Sequence, residues 1–492
     1  MYSKKRIDHI NPFFMPRSDM TTKNIKKSTR ALFNDLFEIS HGIGTQIYVV
    51  GGFVRDLLLG FESKDIDFVV LDDALKFART FKNHVNAKSI VVYPKFGTAM
   101  VQQGLYKLEF VTAREEAYTG TSRKPVVTKA DLETDLSRRD FTVNALAMEI
   151  GPDTFGKIID PWNGQNDLKN KILRTPLDPD ITFSDDPLRM LRAVRFATQL
   201  SFTIEKETFT SIQRKADRLS IISQERITDE FNKIMLTPKP STGLQLLFET
   251  NLLNIFLPEF VMTMGTEQRS KYHHKDVFYH TLQVIDKVAT ASEKLELRLA
   301  ALFHDIAKPR TKRFEDEVGW TFHGHEVVGE RMTGAIMRRL KYPTHTINYV
   351  KKLVRQHLRP MFLVDEEVTD SAIRRLLFLA GEEFDDLMAL CRADITSKNP
   401  RTIKKHMQNY EIVLEKARIV EEKDRMRAFK SPVDGIEIMR IFNLTPGPAV
   451  GRIKKIIEEA ILDGEVPNEH EAALKFLVNN KLKLLIDSDA HD

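Results

Sequence analysis

The sequence predicts an α+β protein in which a mixed-sheet domain is followed by a longer, mainly helical remainder. Three observations carry that reading. Short β-rich runs alternate with helical stretches over the first third, strand signals fade beyond about Asp160 in favour of a 3.6-residue period, and 492 residues exceed one hydrophobic core, which favours about three domains.

In the first third, Ile47-Tyr48-Val49-Val50 reads as a strand ending in Gly51-Gly52, and Phe53 to Leu59 as a helical turn closed by Gly60. Ile66 to Leu71 is a second strand and Asp72 to Val85 a helix; Ser89 to Tyr93, Thr98 to Gln102 and Leu105 to Thr112 are further strands. Beyond them, Asp186 to Leu200 and Glu225 to Met235 repeat apolar residues at helical spacing, and Pro238-Lys239-Pro240 and the Met262 to Ser270 stretch interrupt the pattern as candidate boundaries.

Composition narrows the function classes. With 42% hydrophobic and 29% charged residues, no apolar run crosses a bilayer's thickness without meeting charge, so no membrane span is expected. The basic start MYSKKRIDHINPFFMPRSDM lacks the apolar core of a secretory signal. A single cysteine, Cys391, rules out an intrachain disulfide and cysteine-based zinc fingers, and the expectation is a cytoplasmic protein with no disulfide-linked partner. A net charge of +5 is only weakly basic; Ser122-Arg123-Lys124, Ser137-Arg138-Arg139, Arg189 to Arg195 and Arg452 to Lys455 are clusters that solvated helix faces also show.

The chemistry-bearing signal is Gly51-Gly52-Phe53-Val54-Arg55-Asp56 followed by Asp65-Ile66-Asp67. Alternate side chains of a strand face one way, so Asp65 and Asp67 project together while Ile66 and Phe68 face the core. Like charges side by side repel unless a cation lies between them, which suits Mg²⁺ and its preference for carboxylates plus phosphate oxygens. The glycines let backbone amides approach a triphosphate, and a helix starting there points its positive end at the same place. Glu109, in the apolar run Leu108-Glu109-Phe110-Val111, is a costly acid in a strand unless it has a role, and it can complete a two-metal site. Asp-x-Asp alone is a common strand-edge pattern and Gly-Gly a simple turn; their combination with Glu109 favours metal-dependent nucleotidyl transfer.

These residues resemble a known family. Gly51-Gly52-x-Val54-Arg55-Asp56 with Asp65-x-Asp67 is similar to the head domain of the bacterial and eukaryotic class of CCA-adding tRNA nucleotidyltransferases and their poly(A) polymerase relatives, within the polymerase-β superfamily. Arg138-Arg139-Asp140-Phe141-Thr142-Val143-Asn144-Ala145 resembles the family's ribose-recognising motif, which places Arg139, Asp140 and Asn144 at the nucleotide beside Gly51, Gly52 and Arg55. Asp185-Asp186-Pro187-Leu188-Arg189 resembles its nucleotide-selecting motif, with Asp186 and Arg189 pairing with the incoming base and Asp185 standing where glutamate is more usual. Glu225-Arg226-Ile227-Thr228-Asp229-Glu230 resembles the helix that braces that motif. The resemblance spans roughly residues 45 to 240. On helix spacing alone, Asp186 and Arg189 would be an ordinary i,i+3 ion pair; the order of the motifs favours the base-reading role, in which a carboxylate accepts from an exocyclic amine and a guanidinium donates to the ring.

A second candidate metal site begins at Ala301-Leu302-Phe303-His304-Asp305, where a His-Asp pair closes an apolar helix. With His280 upstream and His325, His357 and Asp394 downstream, the order resembles HD-superfamily phosphohydrolases over about residues 270 to 400. Imidazole and carboxylate ligands suit Mn²⁺, Fe²⁺, Ni²⁺ or Zn²⁺.

The expected protein therefore has a nucleotidyltransferase head over residues 1–170, a nucleotide-selecting and RNA-binding neck over 171–265, an HD domain over 266–420 and a helical tail over 421–492. The resemblance implies that Asp65, Asp67 and Glu109, with Mg²⁺, transfer nucleotides from CTP and ATP to the 3′ end of tRNA as pyrophosphate leaves, with phosphohydrolase activity as an additional role of the HD site. A-only addition, C-only addition, poly(A) synthesis and a chain that is chiefly a phosphohydrolase remain rival readings.

Overall fold

The computed structural model describes residues 25–117, 126–270, 273–316, 319–363, 369–397, 399–424 and 431–481. The basic start of the chain and Ser122-Arg123-Lys124 lie outside them. The chain divides into two compact units, up to Ile222 and from Ser223 onward.

The first unit is built on a seven-stranded sheet. Its strands are β1 (Ile47–Val50), β2 (Asp65–Val70), β3 (Ile90–Tyr93), β4 (Thr98–Gln103) and β5 (Tyr106–Thr112), with β8 (Ala147–Glu149) and β9 (Ile158–Ile159) added at one edge; β6 (Arg114–Ala117) and β7 (Val126–Lys129) pair separately. The order is β3-β4-β5-β2-β1-β8-β9, with β2 and β5 parallel and every other pair in the sheet antiparallel. The strands expected from sequence are present; β8 and β9, two or three residues long, were not expected.

The alternation of β2 sets the two faces of the sheet. Ile66 and Phe68 are fully buried while Asp65 is exposed and Asp67 half-buried. Phe68 stacks on Phe110 of β5 with centroids 5.2 Å apart, and Phe77 and Phe81, from helix Ala74–His84, meet Phe110 at 5.4 and 5.6 Å. Each fully buried ring contributes roughly 1.5–3 kcal/mol, so this aromatic layer fixes the register that carries the acids. Asp73 caps the helix, its carboxylate accepting from the amides of Leu75 and Lys76 at 2.9 and 3.0 Å.

One expectation needs correction. Asp186 does not begin a helix shared with Arg189: helix Pro179–Asp185 ends just before it, Asp186 is extended (φ −136°, ψ 98°), and the next helix is Leu188–Leu200. Pro187 explains the break, since proline disfavours helical backbone in the residue before it.

The second unit is mainly helical, as expected. Helices Val277–Ala291, Leu295–Phe303, His325–Arg339, Thr344–Gln356 and Phe384–Asp394 pack around its centre. Pro240, expected at a boundary, occupies the first turn of helix Pro240–Glu249, where a missing N–H costs nothing. Buried Arg298 fastens the group: it donates to the carbonyls of Met235 and Thr237 at 2.7 and 2.8 Å and to those of Ala289 and Ser292 at 3.3 and 3.0 Å. A separate apolar cluster, including Ile438, Ile453, Ile457 and Leu477, joins the last three helices, the first of which starts at an Asp434/Glu437 capping box.

Candidate active site and metal centre

The strand register brings the head carboxylates together. Asp67 on β2 pairs with Glu109 on β5, and Asp65 lies two residues back, opposite Lys107. Burial pushes the Asp67 carboxyl above its ordinary range; Arg139 works against this and Asp65 adds to it. Burial also raises Glu109, and the charge of Asp67 raises it further. Mutually repelling, partly buried acids gain from a cation between them. These residues fit Mg²⁺, which takes one or two carboxylates and completes its octahedron with water and phosphate oxygens.

Gly51 turns the chain from β1 into helix Gly52–Leu59 with φ 72° and ψ −131°, a conformation open to glycine. A Cβ there would lie 2.8 Å from Nη1 of Arg139 and 3.8 Å from Oδ2 of Asp67, so glycine brings backbone, guanidinium and acid close together. Gly52 is less demanding, its added Cβ meeting only Arg55 Nη2 at 3.7 Å.

The loop after helix Leu132–Ser137 is tied down by ions. Asp135 is fully buried and binds Arg138 at 2.7 Å and Arg139 at 3.2 Å. Arg55, also buried, donates to Asn144 Oδ1 at 2.8 Å and to Asp56 at 2.8 Å. Asn144 donates to Asp140 Oδ1 at 2.9 Å, and Arg192 grips Oδ2 of Asp140 through Nε and Nη2 at 2.8 and 2.5 Å. Burial alone would raise the Asp140 carboxyl, but Arg192 and Asn144 hold it down at about 2. Asp186 Oδ1 accepts from the amide of Leu188 at 3.1 Å, and Arg189 reaches back to the carbonyl of Arg138 at 2.7 Å. The sequence reading missed Asp135 and Arg192; the i,i+3 spacing of Arg192 from Arg189 was the available signal for the second.

In the second unit all six expected ligands converge. His280, His304 and Asp394 form one group, and Asp305, His325 and His357 another, with ligand atoms of each group within 4.8 Å of one another. Among the described residues these two groups alone reach that closeness. Asp305 faces both: Oδ2 lies 3.4 and 3.2 Å from Nε2 of His280 and His304, and Oδ1 lies 3.4 and 3.9 Å from Nε2 of His325 and His357. Asp394 Oδ1 is 2.9 Å from His280 Nε2.

The outer hydrogen bonds decide what the centre needs. Nδ1 of His304, His325 and His357 lies 2.7, 2.8 and 2.7 Å from the carbonyls of Ala301, Phe322 and Val354. A carbonyl only accepts, so each Nδ1 carries the proton and each neutral ring turns a lone pair on Nε2 inward. Nitrogens facing each other at 3.3 Å, twice over, beside two carboxylates need positive charge. Burial lowers the His304 pKa, but Asp305 and Asp394 carry it up to about 10, while burial and the charge of His304 push His357 down to about 3. The donor set fits divalent ions. Lys308 adds a cation 2.7 Å from Asp305 Oδ2 and was not foreseen, although it follows Asp305 by three residues.

A sheet carrying paired acids at a glycine turn, followed along the chain by a helical HD-type centre, defines a nucleotidyltransferase head joined to a metal-binding domain. The sequence model described as "Poly A polymerase head domain" matches residues 47–174, that described as "Probable RNA and SrmB-binding site of polymerase A" matches 201–263, and "HD domain" matches 277–387. The A-adding tRNA nucleotidyltransferase of Deinococcus radiodurans is 33% identical over 434 residues, 86% of this chain and 93% of that protein. The CC-adding tRNA nucleotidyltransferase of Thermus thermophilus is 33% identical over 435 residues, 86% of this chain and 92% of its own. The multifunctional CCA protein of Vibrio parahaemolyticus is 32% identical over 368 residues, 71% and 85% of the two chains. The chain thus belongs to the family of tRNA nucleotidyltransferases that share the poly(A) polymerase head and carry an HD domain. The fold agrees with that of the Bacillus stearothermophilus CCA-adding enzyme in complex with CTP, at a TM-score of 0.64 and 24% identity over 94% of this chain and 100% of that one.

Among the described residues, no helix is long and apolar enough to cross a membrane.

Proposed function

We propose that the chain adds C, C and A to tRNA 3′ ends without a template, using CTP and ATP. The observation that carries this reading is the in-register pair Asp67 and Glu109 beside the Gly51 turn. Asp65 and Asp67 would hold Mg²⁺ and Glu109 would complete the acid cluster; the ion would neutralise charge on the triphosphate and on the attacking oxygen. The tRNA 3′-oxygen forms a bond to the α-phosphorus, its proton passes to solvent, and the bond to the β-phosphate oxygen breaks to release pyrophosphate. The Gly51 and Gly52 amides and Arg55 support the phosphate end, the Arg139-Asp140-Asn144 loop the ribose end, and Asp186 with Arg189 the base. Such chemistry asks for positioning and charge stabilisation rather than covalent help.

Residues 1–170 form the catalytic head, 171–265 the neck, 266–420 the HD domain and 421–492 the tail of this cytoplasmic enzyme. His280, His304 and Asp394 in one group, and Asp305, His325 and His357 in the other, would hold divalent ions, which would supply phosphoester hydrolysis as an additional activity of the HD centre. Support comes from the two ligand groups on opposite oxygens of one carboxylate.

The test incubates the protein with tRNA lacking one, two or three terminal nucleotides and each NTP separately. Addition of C to the shortest tRNA and of A to the one lacking a single nucleotide is expected; failure to add C there removes the CCA assignment. A second reading, addition of A alone or of C-C alone, is favoured by the names of two relatives that each align over 86% of this chain, and the same assay separates the three.

A further inference from the structure

Between the expected metal ligands Asp305 and His325 the chain makes a hairpin whose strands, Arg313–Glu315 and Gly319–Thr321, set Phe314 directly opposite Trp320. The rings meet edge to face with centroids 5.1 Å apart, and Nζ of Lys312 stands 4.2 Å from the Trp320 centroid. Trp320 is half-buried, whereas Phe314 is 55% exposed. The same side of the chain continues to the metal centre. Thr321 is buried, so Trp320 and Phe322 share the opposite face, about 7 Å apart along an extended chain. The Phe322 ring centroid lies 5.6 Å from Nζ of Lys308, which is 2.7 Å from Asp305 Oδ2, and the Phe322 carbonyl fixes His325. Lys308, Arg310, Lys312 and Arg313 supply positive charge within six residues. Of the neighbouring acids, Glu315 is engaged with Thr321 at 2.8 Å and with His323 at 3.6 Å, and Asp316 stands exposed at the end of its strand.

We propose that Phe314 is the stacking platform for the terminal base of a single-stranded RNA whose end phosphate reaches the HD centre, with Trp320 holding the ring in place and Lys312 adding charge for the backbone phosphates. The proposal rests on the phosphoester reading of the HD centre given above. An aromatic face accepts any base, and cations beside it hold the phosphates that accompany a strand. A site for a free mononucleotide would be concave and would enclose most of its ligand. Phe314 instead stands open on a hairpin, which suits the end of a strand.

The experiment uses the metal-loaded full chain carrying Trp162→Phe, in which Trp320 is the sole tryptophan, so that quenching reports binding at the hairpin rather than at the head. The probes are a ribotetranucleotide ending in a non-hydrolysable 3′-phosphonate, the mononucleotide 3′-AMP, and ribose 5-phosphate, which has no base. The tetranucleotide is expected to quench Trp320 and to bind roughly tenfold tighter than 3′-AMP, and ribose 5-phosphate to leave the fluorescence unchanged. F314A should weaken tetranucleotide binding roughly five- to a hundredfold, the worth of one stacked base, and F314Y should restore it. In hydrolysis, F314A should raise KM for a 3′-phosphorylated RNA by the same factor and leave kcat, and both constants for ribose 5-phosphate, as they are. A thermal melt confirms that each variant folds; should F314A not fold, F314L, which keeps bulk without a π face, takes its place and is expected to bind as weakly. Absence of quenching by the tetranucleotide, equal quenching by ribose 5-phosphate, equal affinity for 3′-AMP, or F314A binding as tightly as the parent chain would overturn the proposal. A metal-loaded chain that hydrolyses no phosphoester sinks the HD reading instead, and Trp320 quenching then still decides the platform.

Discussion

Arg298→Met tests how the helices of the second unit are held. The arginine is 3% exposed and spends its donors on four backbone carbonyls, of Met235, Thr237, Ala289 and Ser292. Met235 and Ala289 lie at the ends of helices Gln224–Met235 and Val277–Ala291, where carbonyls have no helical partner. Methionine fills a similar volume and donates nothing. Breaking a buried charged network costs about 3–5 kcal/mol, since unpaired buried carbonyls cost roughly 1–3 kcal/mol each and some recover water. With a urea slope near about 3 kcal/mol/M, the midpoint should fall by about 1 M. Of the two tryptophans, Trp162 lies in the first unit and Trp320 in the second, so fluorescence in a Trp162→Phe background reports the second unit alone. Local reporting matters because a two-unit chain need not unfold in one step. A shift smaller than about 0.3 M would refute the claim that these carbonyls depend on Arg298.

Asp67→Asn should lower nucleotide transfer by about 10²- to 10³-fold without destabilising the head at neutral pH. Burial, with help from Asp65, raises the Asp67 carboxyl above its ordinary 3.8, so its favourable contribution is complete below that pH and lost as pH rises through the folded value; a neutral isostere escapes that loss, and a lower melting temperature at pH 7 would contradict the sign. Gly51→Ala should cost about 1–3 kcal/mol in the melt of the first unit and raise KM for nucleotide, because its φ of 72° is strained for alanine and the Cβ displaces Arg139, while Gly52→Ala should be mild by the same measurements. Asp394→Asn should remove one divalent ion per chain and Asp305→Asn both, read by elemental analysis after dialysis, with CCA addition retained; equal losses from the two variants would argue against separate ligand groups.

The head was legible because the start of β2 alternates. Asp65-Ile66-Asp67-Phe68 announces its faces whatever surrounds it, and the buried aromatic layer obeys that pattern. Parallel pairing of β2 with β5 was not legible, since the partner depends on chain topology, and it alone brings Glu109 opposite Asp67. The break at Asp186 was written in Pro187 but outweighed by helical spacing on either side. The very short strands β8 and β9 carry too few residues for a period. In the second unit, residue order revealed the ligands, but not that Asp305 divides its oxygens between two histidine pairs. A finer local signal was present: each of His304, His325 and His357 is fixed by the carbonyl three residues upstream, so ring orientation is set within a single turn of chain.

The two acid sites differ in how complete they are, and that difference bears on their roles. Around Asp305 the imidazoles and Lys308, and around Asp394 the imidazoles of His280 and His304, outweigh burial and hold both carboxyls well below the usual range, within ligand groups already gathered. Such a centre suits resident ions, because the ordering of its side chains is complete beforehand. In the head the balance runs the other way: burial keeps Asp67 and Glu109 raised, and these acids gain from the charge that a cation brings.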